Sequence, residues 1–185
     1  MNDEASEAAT TDTAPFAAAG LRVLARAHWP DSPDDVAPPI AGFIITSFVP
    51  MVAEVAERCL NRRPEPPPGA RTAILLASTG GDRDTAQAIA EAVREGRRVP
   101  PLLFFQSNPN AVLGHVAGRR GLTGPVVCIS PLKETDAGVP AEALSAAGLL
   151  LWDGDADEVL VIAAEQGRAP GEAGRADAAL VALAP

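Results

Sequence analysis

Three apolar runs of strand length constrain this chain more than any other feature: Arg71 to Ala77 (Arg-Thr-Ala-Ile-Leu-Leu-Ala), Pro125 to Ser130 (Pro-Val-Val-Cys-Ile-Ser) and Glu158 to Ala164 (Glu-Val-Leu-Val-Ile-Ala-Ala). A strand that is apolar on both faces belongs in a sheet covered on both sides, and segments with helical periodicity between the runs supply the covers. After the first run, Ser78-Thr79-Gly80-Gly81 reads as a turn. Asp82 or Asp84 can cap a helix whose face carries Ala86, Ile89, Ala90 and Val93, and Gly96 can close it. A second helix runs through Ala111 to Arg119 and ends near Gly121, and a third, Ala141 to Trp152, places Leu144, Ala147, Leu150 and Leu151 at helical spacing. Upstream, Leu21 to Ala27 reads as a strand with Arg22 and Arg26 interspersed. The clusters Pro30-Asp31-Ser32-Pro33 and Pro38-Pro39 break any element, and Pro50 opens a helix carrying Met51, Val52, Val55, Cys59 and Leu60. Ala176 to Leu183 reads as a closing strand. Strands alternating with helices predict an α/β fold with a largely parallel sheet and right-handed crossovers.

A chain of 185 residues with 47% hydrophobic content suits one globular domain. Met1 to Ala14 is acidic, rich in Ser, Thr and Ala and without apolar periodicity, so it is expected to be a disordered tail before a single domain over residues 15–185. The net charge of -9 opposes binding to nucleic acid or to an anionic membrane, both of which need a basic surface. Cys59 and Cys128 are too few and too far apart for a disulfide framework or a zinc cluster, which makes the reducing cytoplasm the expected compartment. Neither a signal peptide nor a membrane-spanning run is read, and no cofactor or metal site is expected.

Few residues carry chemistry. Cys128 and His115 are the candidate catalytic residues, with Ser130 beside Cys128. In the alternation Val126-Val127-Cys128-Ile129 the thiol reads as a small apolar residue of a central strand, with a raised pKa and little reactivity. His115 has no partner placed beside it in sequence and reads as structural. The Ser78 to Asp82 turn has neither the Gly-x-Gly-x-x-Gly spacing nor the Lys of a phosphate loop. Asp153, Asp155 and Asp157 begin like a calcium loop but meet Glu158 and Ala164 where Gly and Glu are needed. Arg97-Arg98 and Arg119-Arg120 are basic pairs on an acidic chain; they suit solvated helix ends, or docking of an acidic protein.

The run Phe104 to Ser130 (Phe-Phe-Gln-Ser-Asn-Pro-Asn-Ala-Val-Leu-Gly-His-Val-Ala-Gly-Arg-Arg-Gly-Leu-Thr-Gly-Pro-Val-Val-Cys-Ile-Ser) resembles a β-ketoacyl synthase just upstream of its nucleophile. Arg175 to Leu183 is similar to that family's Gly-Ala-Gly-Ala-x-x-Leu strand in weakened form. The likeness extends from about Leu21 and implies the N-terminal half of a thiolase-like fold: a five-stranded mixed sheet of order 3-2-1-4-5, last strand antiparallel, with helices on its faces.

In that family a Cys at a strand-to-helix elbow carries the acyl chain. The corresponding stretch here reaches Lys133, Glu134 and Thr135, none of them a thiol. A decarboxylating ketosynthase also needs His or Asn residues from a C-terminal half, and the resemblance ends at Pro185 without one. The resemblance therefore implies a non-catalytic ketosynthase-like subunit of a type II polyketide or fatty-acid-like pathway. Such a subunit would pair as a homodimer, or as a heterodimer with a ketosynthase-like protein, with an acyl carrier protein as a further partner. The alternative is a small acyl-thioester-handling acyltransferase that uses Cys128 in a remodelled pocket.

Overall fold

A computed structural model describes residues 13–133, 138–167 and 172–185. Five strands, β1 (Leu21–Trp29), β2 (Thr72–Ala77), β3 (Val126–Ile129), β4 (Glu158–Glu165) and β5 (Arg175–Leu183), form one mixed sheet of order β1-β5-β4-β2-β3. Around it lie α1 (Phe48–Asn61), α2 (Arg83–Arg94), α3 (Pro101–Gln106), α4 (Asn110–Arg120) and α5 (Ala141–Trp152). β5 runs antiparallel to both of its neighbours, while β2 is parallel to β3 and β4. The α/β class and the antiparallel last strand are as expected.

The strand order corrects the expected 3-2-1-4-5: read from the other edge it is 3-2-4-5-1. Charge explains the difference. Arg22, Arg26 and His28 interrupt β1, and its pairing with β5 slips between Val23 and Ala25, features suited to an edge. β4, apolar and buried along nearly its whole length, takes the centre instead. β3 closes the opposite edge and is only half-buried, so Cys128 lies on an edge strand rather than a central one.

Period-two alternation divides the core into two layers. Ile74, Leu76, Leu160, Ile162, Ala178 and Leu180 face α1 and α4 and meet Val52, Val55, Cys59, Leu113 and Val116. Ala73, Leu75, Val159, Val161, Ala179 and Val181 face α5 and meet Leu144, Ala147 and Leu151. Cys59 is fully buried in the first layer, as its helical spacing required.

Local chemistry sets the ends of the elements. Pro50 lies in the first turn of α1, where no backbone donor is missed. Asp82 caps α2 by accepting from Thr85 N at 3.1 Å. Gly121 ends α4 with φ 64°, the left-handed conformation that favours glycine. Gly124 donates to Thr72 O at 3.0 Å and lies so close to β2 that a Cβ here would sit 2.5 Å from Ala73 N. The Gly-Leu-Thr-Gly-Pro element is thus a helix stop followed by a close backbone approach that docks β3 on β2.

Two expectations change. Residues 13–18 are helical, so the tail expected through Ala14 cannot extend past residue 12, and residues 1–12 lie outside the described residues. In α2 the face expected to be buried is largely exposed: Ala86, Ala90 and Val93 face outward, while Thr85 and Ala92 are buried. Among the described residues no helix is long and apolar enough to cross a membrane.

Candidate functional site

The carboxyl ends of the parallel strands β2, β3 and β4 bring three short segments together: Ser78-Thr79-Gly80-Gly81, Ser130-Pro131-Leu132-Lys133 and Glu165-Gln166. This is the end of an α/β sheet at which ligands commonly bind.

Glu165 organises the first segment. Its carboxylate accepts from Thr79 N at 2.5 Å and Gly80 N at 3.1 Å, with Arg83 Nη2 3.9 Å away. The amide nest of the turn therefore holds an internal anion, which explains a phosphate-like turn that lacks the phosphate-loop lysine. Gln166 is buried; its amide donates to Ser47 Oγ and to Asp84 Oδ2, each at 2.7 Å, and its carbonyl accepts from Arg83 N at 2.6 Å. Gln106, also buried, bonds both the N–H and the carbonyl of Ile44 and donates to Thr85 Oγ1 at 2.7 Å. These two amides fasten the Pro38 to Ser47 loop to α2 and α3. Neither was singled out by sequence reasoning. A polar Glu-Gln pair directly after the central apolar strand was the available signal for Glu165 and Gln166.

Cys128 lines a cleft of about 400 Å³ with Leu76, Ser78, Asp82, Ser107 and Ser130. Burial pushes its thiol up to about 11, so it is protonated at neutral pH. Two polar groups that line the same cleft are already engaged: Asp82 accepts from Thr85 N and Oγ1, and Ser78 Oγ accepts from Gly81 N at 2.9 Å. His115 lines a different pocket, of about 360 Å³, with Pro38, Pro39, Glu57 and Arg119, and meets the Phe43 ring edge-on at 6.0 Å. The structure does not bring the two candidate catalytic residues into one site.

Lys133 is exposed at the end of the segment after β3, beside a small cleft of about 20 Å³ that it shares with Thr79, Gly138, Glu165 and Asp177. Glu134 and Thr135 lie outside the described residues. The remaining weak motifs have structural partners. Asp157 accepts from Arg71 N at 2.7 Å, and this bond holds its carboxyl below the usual range. Arg119 and Arg120 pair with Glu57, and Arg97 pairs with Glu95. Among the described residues no group of three His, Cys, Asp or Glu side chains is placed to hold a metal ion.

No known family pattern and no curated protein matches this sequence. Solved structures do match in shape. A chain of the ketosynthase ApeO in complex with its chain length factor ApeC, from Xenorhabdus doucetiae, superposes with a TM-score of 0.66 at 15% identity, over 89% of this chain and 79% of that one. The fold is ketosynthase-like. The ishigamide ketosynthase/chain length factor gives a TM-score of 0.62 at 18% identity, over 84% of this chain and 49% of that one. A β-ketoacyl synthase from Burkholderia phymatum STM815 gives 0.60 at 14% identity, over 92% of this chain and 54% of that one. The chain thus spans about half of the latter two and most of the first. At such identities the likeness is one of fold.

Proposed function

We propose that this chain is a non-catalytic ketosynthase-like subunit that pairs with a ketosynthase-like partner in a polyketide or fatty-acid-like pathway. The observation that carries the reading is the free edge of β3. Pro125 O accepts from Ile74 N and Ile129 O from Ser78 N, so in a ladder of period two Val126 and Cys128 turn their backbone groups away from β2. Among the described residues no further strand pairs beyond β3, and a short, half-buried edge of this kind offers a place for a strand of another chain. Matches to ketosynthase/chain length factor complexes support this reading, one of them to a chain only slightly longer than this one.

Absence of catalysis is supported by the residues at the elbow. Counting from Gly124-Pro125, the position of the family's acyl-carrying Cys falls at Lys133, which puts an ammonium group where a thioester would be needed. Co-expression of the tagged chain with the ketosynthase of its pathway tests the partnership: recovery of both chains in fixed proportion is expected, and recovery of the tagged chain alone would contradict it.

A second reading rests on the cleft of about 400 Å³ beside Cys128 and Ser130, which has room for part of an acyl chain. In this reading the chain is an acyltransferase that carries the acyl group on Cys128. The protonated state of that thiol weighs against it. Intact-mass measurement after incubation with acyl-CoA decides between the two: an adduct on Cys128 establishes the second reading, and an unmodified mass leaves the first.

A further inference from the structure

The turn that follows α3 supplies one wall of the cleft beside Cys128, through Ser107 and Pro109, and the Ser78 to Asp82 turn with Ala86 of α2 supplies another. α3 itself is lightly held. Of its six residues only Leu103 and Gln106 are buried, while Phe104 and Phe105 are 76% and 69% exposed. The chain on either side of it, residues 93–98 and 107–108, is exposed as well. An element with so few buried contacts lies at the low end of local stability.

Gln106 is its polar fastening. The amide nitrogen donates to Ile44 O at 2.6 Å and to Thr85 Oγ1 at 2.7 Å, and the amide oxygen accepts from Ile44 N at 3.0 Å. Thr85 Oγ1 in turn donates to Asp82 Oδ2 at 2.7 Å, so one chain of hydrogen bonds runs from the cleft wall at Asp82 to Ile44. The next residue, Ile45, has φ 53° and is the one non-glycine among the described residues with positive φ. A β-branched residue is strained there, because its Cβ crowds the following carbonyl. Gln106 fixes the backbone before Ile45, and Asp84, accepting from Ser47 N and Oγ, fixes it after. Strain of this kind persists only while the surroundings impose it. Ile44 is 41% exposed, so water can take up its backbone groups once the amide leaves.

We infer that α3 and the turn after it form a hinged lid over the Cys128 cleft, with Gln106 as its latch and the strained Ile45 as the spring that works against the latch. Release of Gln106 removes one of the two buried attachments of α3 and lets Ile45 relax to negative φ. Ser107 and Pro109 then move with α3 and widen the cleft. Asp82 keeps its bonds from Thr85 when the latch opens, so the wall formed by α2 and the Ser78 to Asp82 turn stays in place. Because the strain is stored only in the closed arrangement, it lowers the cost of opening. The lid governs access to the cleft and not the chemistry within it, so it does not depend on either reading of the cleft under the proposed function.

The two cysteines report the lid and the fold separately: Cys128 lines the cleft, whereas Cys59 is fully buried in the core and is reached only by unfolding. Labelling of the purified full chain with fluorescein maleimide, followed by peptide mass spectrometry, gives both rates. Gln106→Ala is expected to speed labelling of Cys128 about tenfold. Thr85→Val, which removes a single hydroxyl from the latch, is expected to speed it about threefold or more and carries the test if loss of the buried amide unfolds the chain. Ile45→Asn, a residue that tolerates left-handed backbone, is expected to slow labelling about threefold or more. Cys59 is expected to stay unlabelled over the same period in Thr85→Val and Ile45→Asn. An unchanged Cys128 rate in Thr85→Val, an equal or faster one in Ile45→Asn, or labelling of Cys59 in step with Cys128 in Thr85→Val would overturn the inference.

Discussion

Glu165 supplies from a neighbouring strand the anion that the Thr79 and Gly80 amides require, and so fixes the turn at the end of β2. Glu165→Gln would set an amide donor against one of those N–H groups and is expected to destabilise the fold by about 1–3 kcal/mol, read as a lower urea midpoint with an unchanged slope. An unaltered midpoint would show that the nest does not need its anion. Cys128 makes a pH-dependent prediction. Its thiol, raised to about 11 by burial, gains thiolate only as pH climbs toward that value. Alkylation near pH 7.5 should be roughly two orders of magnitude slower than for an unperturbed cysteine and should accelerate about tenfold per pH unit. Rapid labelling at neutral pH would instead favour the acyl-carrying reading. The thiol's apolar setting was legible in the alternation around it. Gln106 and Gln166 were not, because burial of an amide depends on backbone partners distant in sequence, at Ile44 and Arg83.

At the scale of elements, apolar runs identified β2, β3 and β4 before their neighbours were known, since only strands covered on both faces need such continuity. Their order was harder to read. Arg22 and Arg26 marked β1 for an edge, yet the position given by resemblance placed the first strand at the centre, and the pattern of charge was the better guide. The inward side of α2 was misjudged for a related reason: an Ala-rich repeat gives no strong preference, and the cap Asp82 with the Thr85–Gln106 hydrogen bond fixes which side faces in. Gly124 provides the sharpest test at this scale. A methyl group at this position meets the β2 backbone, which cannot turn aside as a side chain can. Gly124→Ala is expected to cost about 3 kcal/mol or more, or to prevent β3 from docking, as measured by thermal or urea unfolding. Wild-type stability in this variant would mean that the Gly-Leu-Thr-Gly-Pro element plays no part in packing.

For the whole molecule, the ketosynthase-like fold was legible from Phe104 to Ser130 because the helix stop at Gly121 and the close approach at Gly124 are packing demands written in residue type. Partnership was less legible, since a free strand edge becomes visible only after the sheet is assembled. The central claim is that this chain acts by pairing through β3 with a ketosynthase-like partner. Light scattering coupled to size-exclusion chromatography of the chain mixed with the ketosynthase of its pathway, with and without Cys128→Pro, tests it most directly. Proline at an outward-facing edge position removes the free donor while sparing the β2 ladder. The account predicts a one-to-one complex for the natural chain and separate elution for a folded Cys128→Pro variant; separate elution of the natural chain, or an undiminished complex with the variant, would contradict it.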